Sequence, residues 1–203
     1  MTTKRTGDKP APTDENKKEI DMESKAKALG HPLHQMLVPF PFGLLASSVI
    51  FDVIYLIWGN ATMLTVSYWM IVAGIIGGLI AAPFGLIDYL AIPAGTRAKS
   101  VGFIHGVGNV VVLLLFAGSC CLRYSSTQFS PTGVQAPDIP ALVLSFVGFA
   151  LAGVTGWLGG ELVDRLSVGV HDGANLDAPS SLVGDPARRR GRSTSTSSTA
   201  RIN

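Results

Sequence analysis

The sequence predicts an all-α integral membrane protein, a bundle of four transmembrane helices with both termini in the cytoplasm. Three observations predict it. Apolar stretches run over 36–58, 66–90, 101–122 and 139–163, and at ~1.5 Å per residue each is long enough to cross a ~30 Å hydrocarbon layer as a helix. The 203 residues are 47% hydrophobic and only 15% charged, with mean hydropathy +0.38, too apolar for an ordinary soluble domain. Lysine and arginine are distributed unevenly: seven precede the first span, two lie between the second and third, six follow from Arg165, and Arg123 alone falls on the other side. That asymmetry places both ends on the cytoplasmic side.

Residues 1–30 form a polar tail. Met1 to Asp14 mix Lys, Thr, Asp and Pro without periodicity and carry too little apolar surface to offset chain entropy, so they are expected to be disordered. From Glu15 to Leu29 a short helix is predicted, because Met22, Ala26 and Leu29 fall at i, i+4 and i+7, and Asp21 and Glu23 precede Lys25 and Lys27 by four. Gly30 ends it. The transmembrane domain is expected over 31–170. Its first span holds Pro39 and Pro41, whose missing N–H groups leave the carbonyls of Gln35 and Leu37 unbonded and predict a kink. Tyr55 and Trp58 mark the far interface, and Asp52 is expected near that end, satisfied by Tyr55 and water. The second span contains Pro83 and ends in Leu86-Ile87-Asp88-Tyr89; the third holds His105 and Asn109 on one helix face and is closed by Arg123. A polar loop, Tyr124 to Asp138, leads into the fourth, which ends in Gly156-Trp157-Leu158-Gly159-Gly160-Glu161. Short connections favour antiparallel neighbours. Gly74 with Gly78, Gly102 with Gly106 and Gly156 with Gly160 are GxxxG pairs, a spacing that lets helix backbones approach closely in lipid. Residues 171–203 are rich in Ser, Thr and Arg and are expected to be a disordered tail.

The topology brings His31, His34, Asp88, His105, Asn109, Glu161 and Asp164, with Gln35, toward the cytoplasmic ends of the helices. Ionisable groups at membrane depth are costly unless paired or wet, which makes this cluster the candidate site. Imidazole and carboxylate suit Zn, Fe or Ni, and His31 with His34 at i, i+3 project to one side of a helix. A b-type haem needs one histidine from each of two facing helices at equal depth, and His34 with His105 is that pair. Glu161 is the expected carboxylate partner of the imidazoles, with Gln35, Asp88, Asn109 and Asp164 in support. The competing readings are a packing role for the same residues and a proton or ion path. Cys120 and Cys121 are adjacent and the only cysteines, which excludes a disulfide framework. No glycine motif follows a strand, so no nucleotide loop is present. The chain is expected not to be an enzyme by itself. Its expected partners are the bilayer and a redox partner or a second copy, with no nucleic acid.

Internal likeness suggests a tandem two-helix repeat. Displaced by 76 residues, Leu86-Ile87-Asp88-Tyr89-Leu90 aligns with Leu162-Val163-Asp164-Arg165-Leu166; displaced by 74, His31 and Gln35 align with His105 and Asn109. A repeat of this kind has its axis along the membrane normal.

His31-Pro32-Leu33-His34, Leu37-Val38-Pro39-Phe40-Pro41, Gly85-Leu86-Ile87-Asp88-Tyr89 and Trp157-Leu158-Gly159-Gly160-Glu161-Leu162-Val163 resemble the bacterial membrane family called domain of unknown function 2231. The resemblance covers roughly His31 to Val170. It implies four membrane helices and, because similar domains occur joined to Rieske-type iron–sulfur modules, a link to electron transfer. The chain departs from the family pattern at two places. Gln35 stands where a second proline is usual, and Asp164-Arg165-Leu166-Ser167 stands where the family tends to read Tyr-x-His-Gly, so the histidine that the family offers is absent at Leu166. His171 lies five residues further on.

Overall fold

Apolar length sets the architecture. The computed structural model describes residues 22–125 and 139–183, and in them four helices are long and apolar enough to cross a membrane: Leu33–Trp58, Thr62–Ala91, Arg97–Tyr124 and Ile139–Arg165. The elements in chain order are strands β1 (Lys27–Ala28) and β2 (His31–Pro32), then α1 (Leu33–Leu37), α2 (Pro39–Trp58), α3 (Thr62–Ala91), α4 (Arg97–Ser125) and α5 (Ile139–Gly160), which continues as a π-helical turn, Glu161–Arg165. The loop expected over Tyr124 to Asp138 and both polar tails lie largely outside the described residues.

Where the prolines predict a kink, the α-helical pattern is interrupted only at Val38, between α1 and α2. Pro39 occupies the first position of α2, where a missing N–H costs nothing. Val38 keeps helical angles, and its N–H still reaches the His34 carbonyl at 3.0 Å. The helical path therefore continues through the junction. Gly59 closes α2 in the left-handed conformation, φ 68°, with its N–H on the Tyr55 carbonyl at 2.7 Å, so the chain reverses into α3 within three residues.

Consecutive helices pack as two hairpins, α2 with α3 and α4 with α5, and the ring is closed by α3 on α4 and α2 on α5. This leaves α2 diagonally opposite α4. The core holds Leu45 and Val49 from α2, Ile71 from α3, Val112 and Phe116 from α4 and Ala152 from α5. Glycines make the close approach possible: a Cβ on Gly74 would lie 2.6 Å from Leu45, and one on Gly148 would lie 3.0 Å from Phe116. Gly106 and Gly160 meet nothing within 4 Å, so of the GxxxG pairs only Gly74 with Gly78 has both members against a neighbouring helix. Outward faces stay apolar, as at Leu56, Leu79, Leu114 and Val154, a surface suited to lipid tails.

The segment before α1 differs from expectation. Over the described part of the predicted helix, from Met22, the chain is extended and turns through Leu29 (φ 51°) and Gly30 (φ 83°) into a two-stranded antiparallel ribbon, Lys27 opposite Pro32. Leu29 is 77% exposed rather than on a packed face. The cause is the Asp88 carboxylate at the end of α3. It accepts from the Ser24 hydroxyl at 2.8 Å and the Lys25 N–H at 2.9 Å, while the Ala26 carbonyl is taken by the Leu33 N–H at 2.8 Å. Those backbone groups are then lost to a helical ladder.

Candidate functional site

Two polar clusters stand at opposite ends of the diagonal helices. At the end where α1 begins, His34 places Nδ1 3.1 Å from the carbonyl of Ala81 on α3, and His105 on α4 places Nδ1 2.9 Å from the carbonyl of Thr155 on α5. A carbonyl only accepts, so Nδ1 carries a proton in both rings. The ring centroids are 6.4 Å apart with perpendicular planes. Each ring rests on a glycine: a Cβ on Gly85 would lie 2.7 Å from His34 Cε1, and one on Gly159 would lie 3.1 Å from His105 Cε1. Asn109 donates to the His105 carbonyl at 2.9 Å and lies 3.2 Å from His105 Nε2, and it accepts from the Thr155 hydroxyl at 3.1 Å. No hydrogen bond is made by His34 Nε2 among the described residues.

The remaining expected residues are engaged elsewhere. His31 sits in β2, exposed, with Nε2 3.1 Å from the Ser181 hydroxyl, so it shares no helix face with His34. Gln35 is exposed and reaches the Val168 carbonyl at 3.5 Å. Asp88 fastens the N-terminal ribbon. Glu161 pairs with Arg97 and stands 4.0 Å from Arg165, and the hydrogen-bond partner at His105 Nδ1 is the Thr155 carbonyl rather than this carboxylate. Asp164 is exposed. His171 lies 3.2 Å from the Glu23 carboxylate. Of the eight residues expected at the site, His34, His105 and Asn109 come together. Among the described residues, no group of three His, Cys, Asp or Glu side chains could hold a metal ion.

At the opposite end lies a cluster that the sequence reading divided into unrelated parts. Asp52 is fully buried and Arg123 is 2% exposed. The guanidinium meets the carboxylate with both terminal nitrogens, Nη1 to Oδ1 at 2.9 Å and Nη2 to Oδ2. Its other donors reach Ser67 on α3 and Ser145 on α5 at 3.3 Å each, and Nε reaches Ser119 at 3.1 Å. All four long helices contribute. The correction is that Asp52 is met by Arg123 inside the bundle, not by Tyr55 and water. A usable signal was the spacing: Asp52 follows His34, and Arg123 follows His105, by 18 residues each, five helical turns and therefore the same face.

Between the clusters the core of Leu45, Val49, Ile71, Val112, Phe116 and Ala152 is buried and apolar.

A family model described as "Predicted membrane protein (DUF2231)" matches residues 30–172. The chain belongs to the DUF2231 family. No curated protein and no solved structure matches it. The DUF2231 match takes in every helix, the histidine pair and the Asp52–Arg123 cluster, and it ends at Asp172, whose N–H donates to Glu23 at 3.2 Å.

Proposed function

We propose that this protein of the bacterial cytoplasmic membrane, with both termini inside, uses His34 and His105 as a two-imidazole site for a metal centre, haem iron or a transition metal, and takes part in electron transfer. The observation that carries the reading is the pair itself, two rings 6.4 Å apart with both Nδ1 atoms facing carbonyls of other helices. His34 and His105 are the residues that would hold the group, each through the ring nitrogen not turned to a carbonyl. Bonding at Nδ1 orients both rings, the usual arrangement behind a ligating histidine; His34 Nε2 makes no hydrogen bond among the described residues, and Asn109, 3.2 Å from His105 Nε2, would have to give way for that nitrogen to hold a metal. A bound haem or metal would supply one-electron chemistry; the chain supplies the two nitrogens and the dry core beneath them.

A second reading, a structural or partner-binding subunit whose histidines only pack helices, is favoured by one observation. The loop from His105 through Thr155 and Asn109 back to His105 closes on itself. The readings separate in protein purified in mild detergent from cells supplied with iron and haem precursor. A Soret band or stoichiometric metal, lost in both His34→Ala and His105→Ala and retained in His171→Ala, is the expected result. Wild-type protein with neither signal, and both substitutions lowering thermal stability, would establish the packing role.

We also propose that the two hairpins are a repeat, in a register that differs from the sequence-based offsets. His34, Ser48 and Asp52 correspond to His105, Ser119 and Arg123 at 71 residues, and Gly74, Ala81 and Gly85 correspond to Gly148, Thr155 and Gly159 at 74. Matching burial and the matching Ala81 and Thr155 bonds support it. The offset of 76, and the pairing of His31 with His105, are given up.

A further inference from the structure

We infer that Asp52 and Arg123 are a positioning pair that fixes the register of the two hairpins and thereby sets the His34–His105 separation. The inference rests on the histidine pair being the site. Three observations carry it. Both clusters lie on the same two helices at the same five-turn spacing, and the backbone stays helical across Val38, so α1 with α2, and α4, each act as one rod of about 27 Å between its histidine and its charge. The rods are diagonal partners. Besides the apolar core, this ion pair links them directly.

The second observation is geometric. A bidentate guanidinium–carboxylate fork fixes distance and orientation together. Sliding one rod by a single residue moves it ~1.5 Å and turns its face by about 100°, and a full turn moves it ~5.4 Å. Either breaks the fork and removes the 6.4 Å ring separation. The third is the chemistry of the surrounding core. The contacts of Leu45, Val49, Val112 and Phe116 are apolar and non-directional, whereas one buried guanidinium–carboxylate fork is directional. Buried ion pairs contribute less to stability than well-packed apolar residues do and are best attested as registry devices. The serines complete the device: Ser67, Ser119 and Ser145 take the donors that Asp52 does not, so the fork is satisfied only with all four helices in place.

The test uses the full-length protein in mild detergent. It compares Asp52→Arg, Arg123→Asp, the charge swap Asp52→Arg with Arg123→Asp, and the apolar pair Asp52→Leu with Arg123→Met. Three quantities are read: the rate at which diethyl pyrocarbonate modifies residues 34 and 105, the melting temperature, and bound metal or haem. Each single reversal should raise modification of both histidines about tenfold and lower the melting temperature, and the swap should restore both. The apolar pair should melt near the wild type yet modify about fivefold faster at both histidines, a combination that a purely stabilising ion pair would not produce. The inference is overturned if the apolar pair protects both rings as the wild type does. A swap that folds but leaves the rings unprotected overturns it equally. The metal reading fails separately: wild type without metal or haem, but with protection responding as stated, refutes that reading and retains the positioning role. Metal or haem bound normally in every variant does the reverse.

Discussion

At the scale of single residues, the site depends on what is missing as much as on what is present. Gly85 lets the His34 ring lie against α3, because a Cβ there would stand 2.7 to 3.0 Å from three ring atoms. Gly85→Ala is expected to swing the ring off the Ala81 carbonyl and cost about 1–3 kcal/mol, the usual range for overpacking. Gly106→Ala meets nothing within 4 Å and is expected to be neutral or to stabilise by up to about 1 kcal/mol through helix propensity. Melting of the two variants in the same detergent checks the contrast, and equal effects would show that the cradle at His34 is not a constraint. Arg123 illustrates the opposite case: removing one partner of a buried pair typically costs about 3–5 kcal/mol, because it leaves the other charge unpaired.

At the scale of elements, residues 22–32 and the chain after the π-helical turn form a strap across the end of the bundle. Gly169 donates to the Met22 carbonyl at 2.8 Å, Asp172 donates to Glu23 at 3.2 Å, and Lys27 donates to the same carboxylate. The Lys27 hydrogen bond, with help from Asp172, holds the Glu23 carboxyl below its ordinary 4.5 against the opposing effect of burial. A depressed carboxyl contributes stability above its unfolded value and loses it as pH falls through the folded value, so the strap should loosen below about pH 4.5. Hydrogen exchange at Lys25, Ala26 and Gly169, corrected for intrinsic rates, should accelerate on acidification in the wild type. In Glu23→Gln it should already be fast at neutral pH. The strap was hidden in the sequence, because Met22, Ala26 and Leu29 do repeat at helical spacing. What overrides that local pattern is Asp88, more than sixty residues away. The spans themselves were legible, since hydropathy over twenty residues needs no partner. The helices extend past the apolar stretches: α3 begins at Thr62 and α4 at Arg97, with Arg97 and Lys99 within its first turn.

At the scale of the whole molecule, the proximity of His34 and His105 is legible in the sequence and the Asp52–Arg123 pair is not. His34 and His105 were paired because both are imidazoles and share a depth. Asp52 and Arg123 were explained one at a time, each by a nearby interface, and a cross-molecule pair has no local signature. Their common 18-residue distance from the histidines becomes meaningful only when the helices are known to face each other diagonally. Glu161 was misassigned for a related reason, since its partner Arg97 had been counted only as a topological charge. Orientation is tested on the intact chain. A reporter that is active only in the cytoplasm should work when fused after Asn203, and one active only outside should work when inserted near Thr132. The reverse pattern would overturn the inside placement of the histidine pair.

The Asp52–Arg123 pair also carries a consequence for biosynthesis. The carboxylate enters the membrane 71 residues before its guanidinium, and at about 5–20 residues per second the ribosome takes roughly 4–14 s to supply it. During that interval the first hairpin holds an acid inside the bilayer with no cation to meet it, an arrangement that favours a side chain drawn toward the interface. The charge pair that the first hairpin begins is therefore completed only by the second, after a delay set by translation.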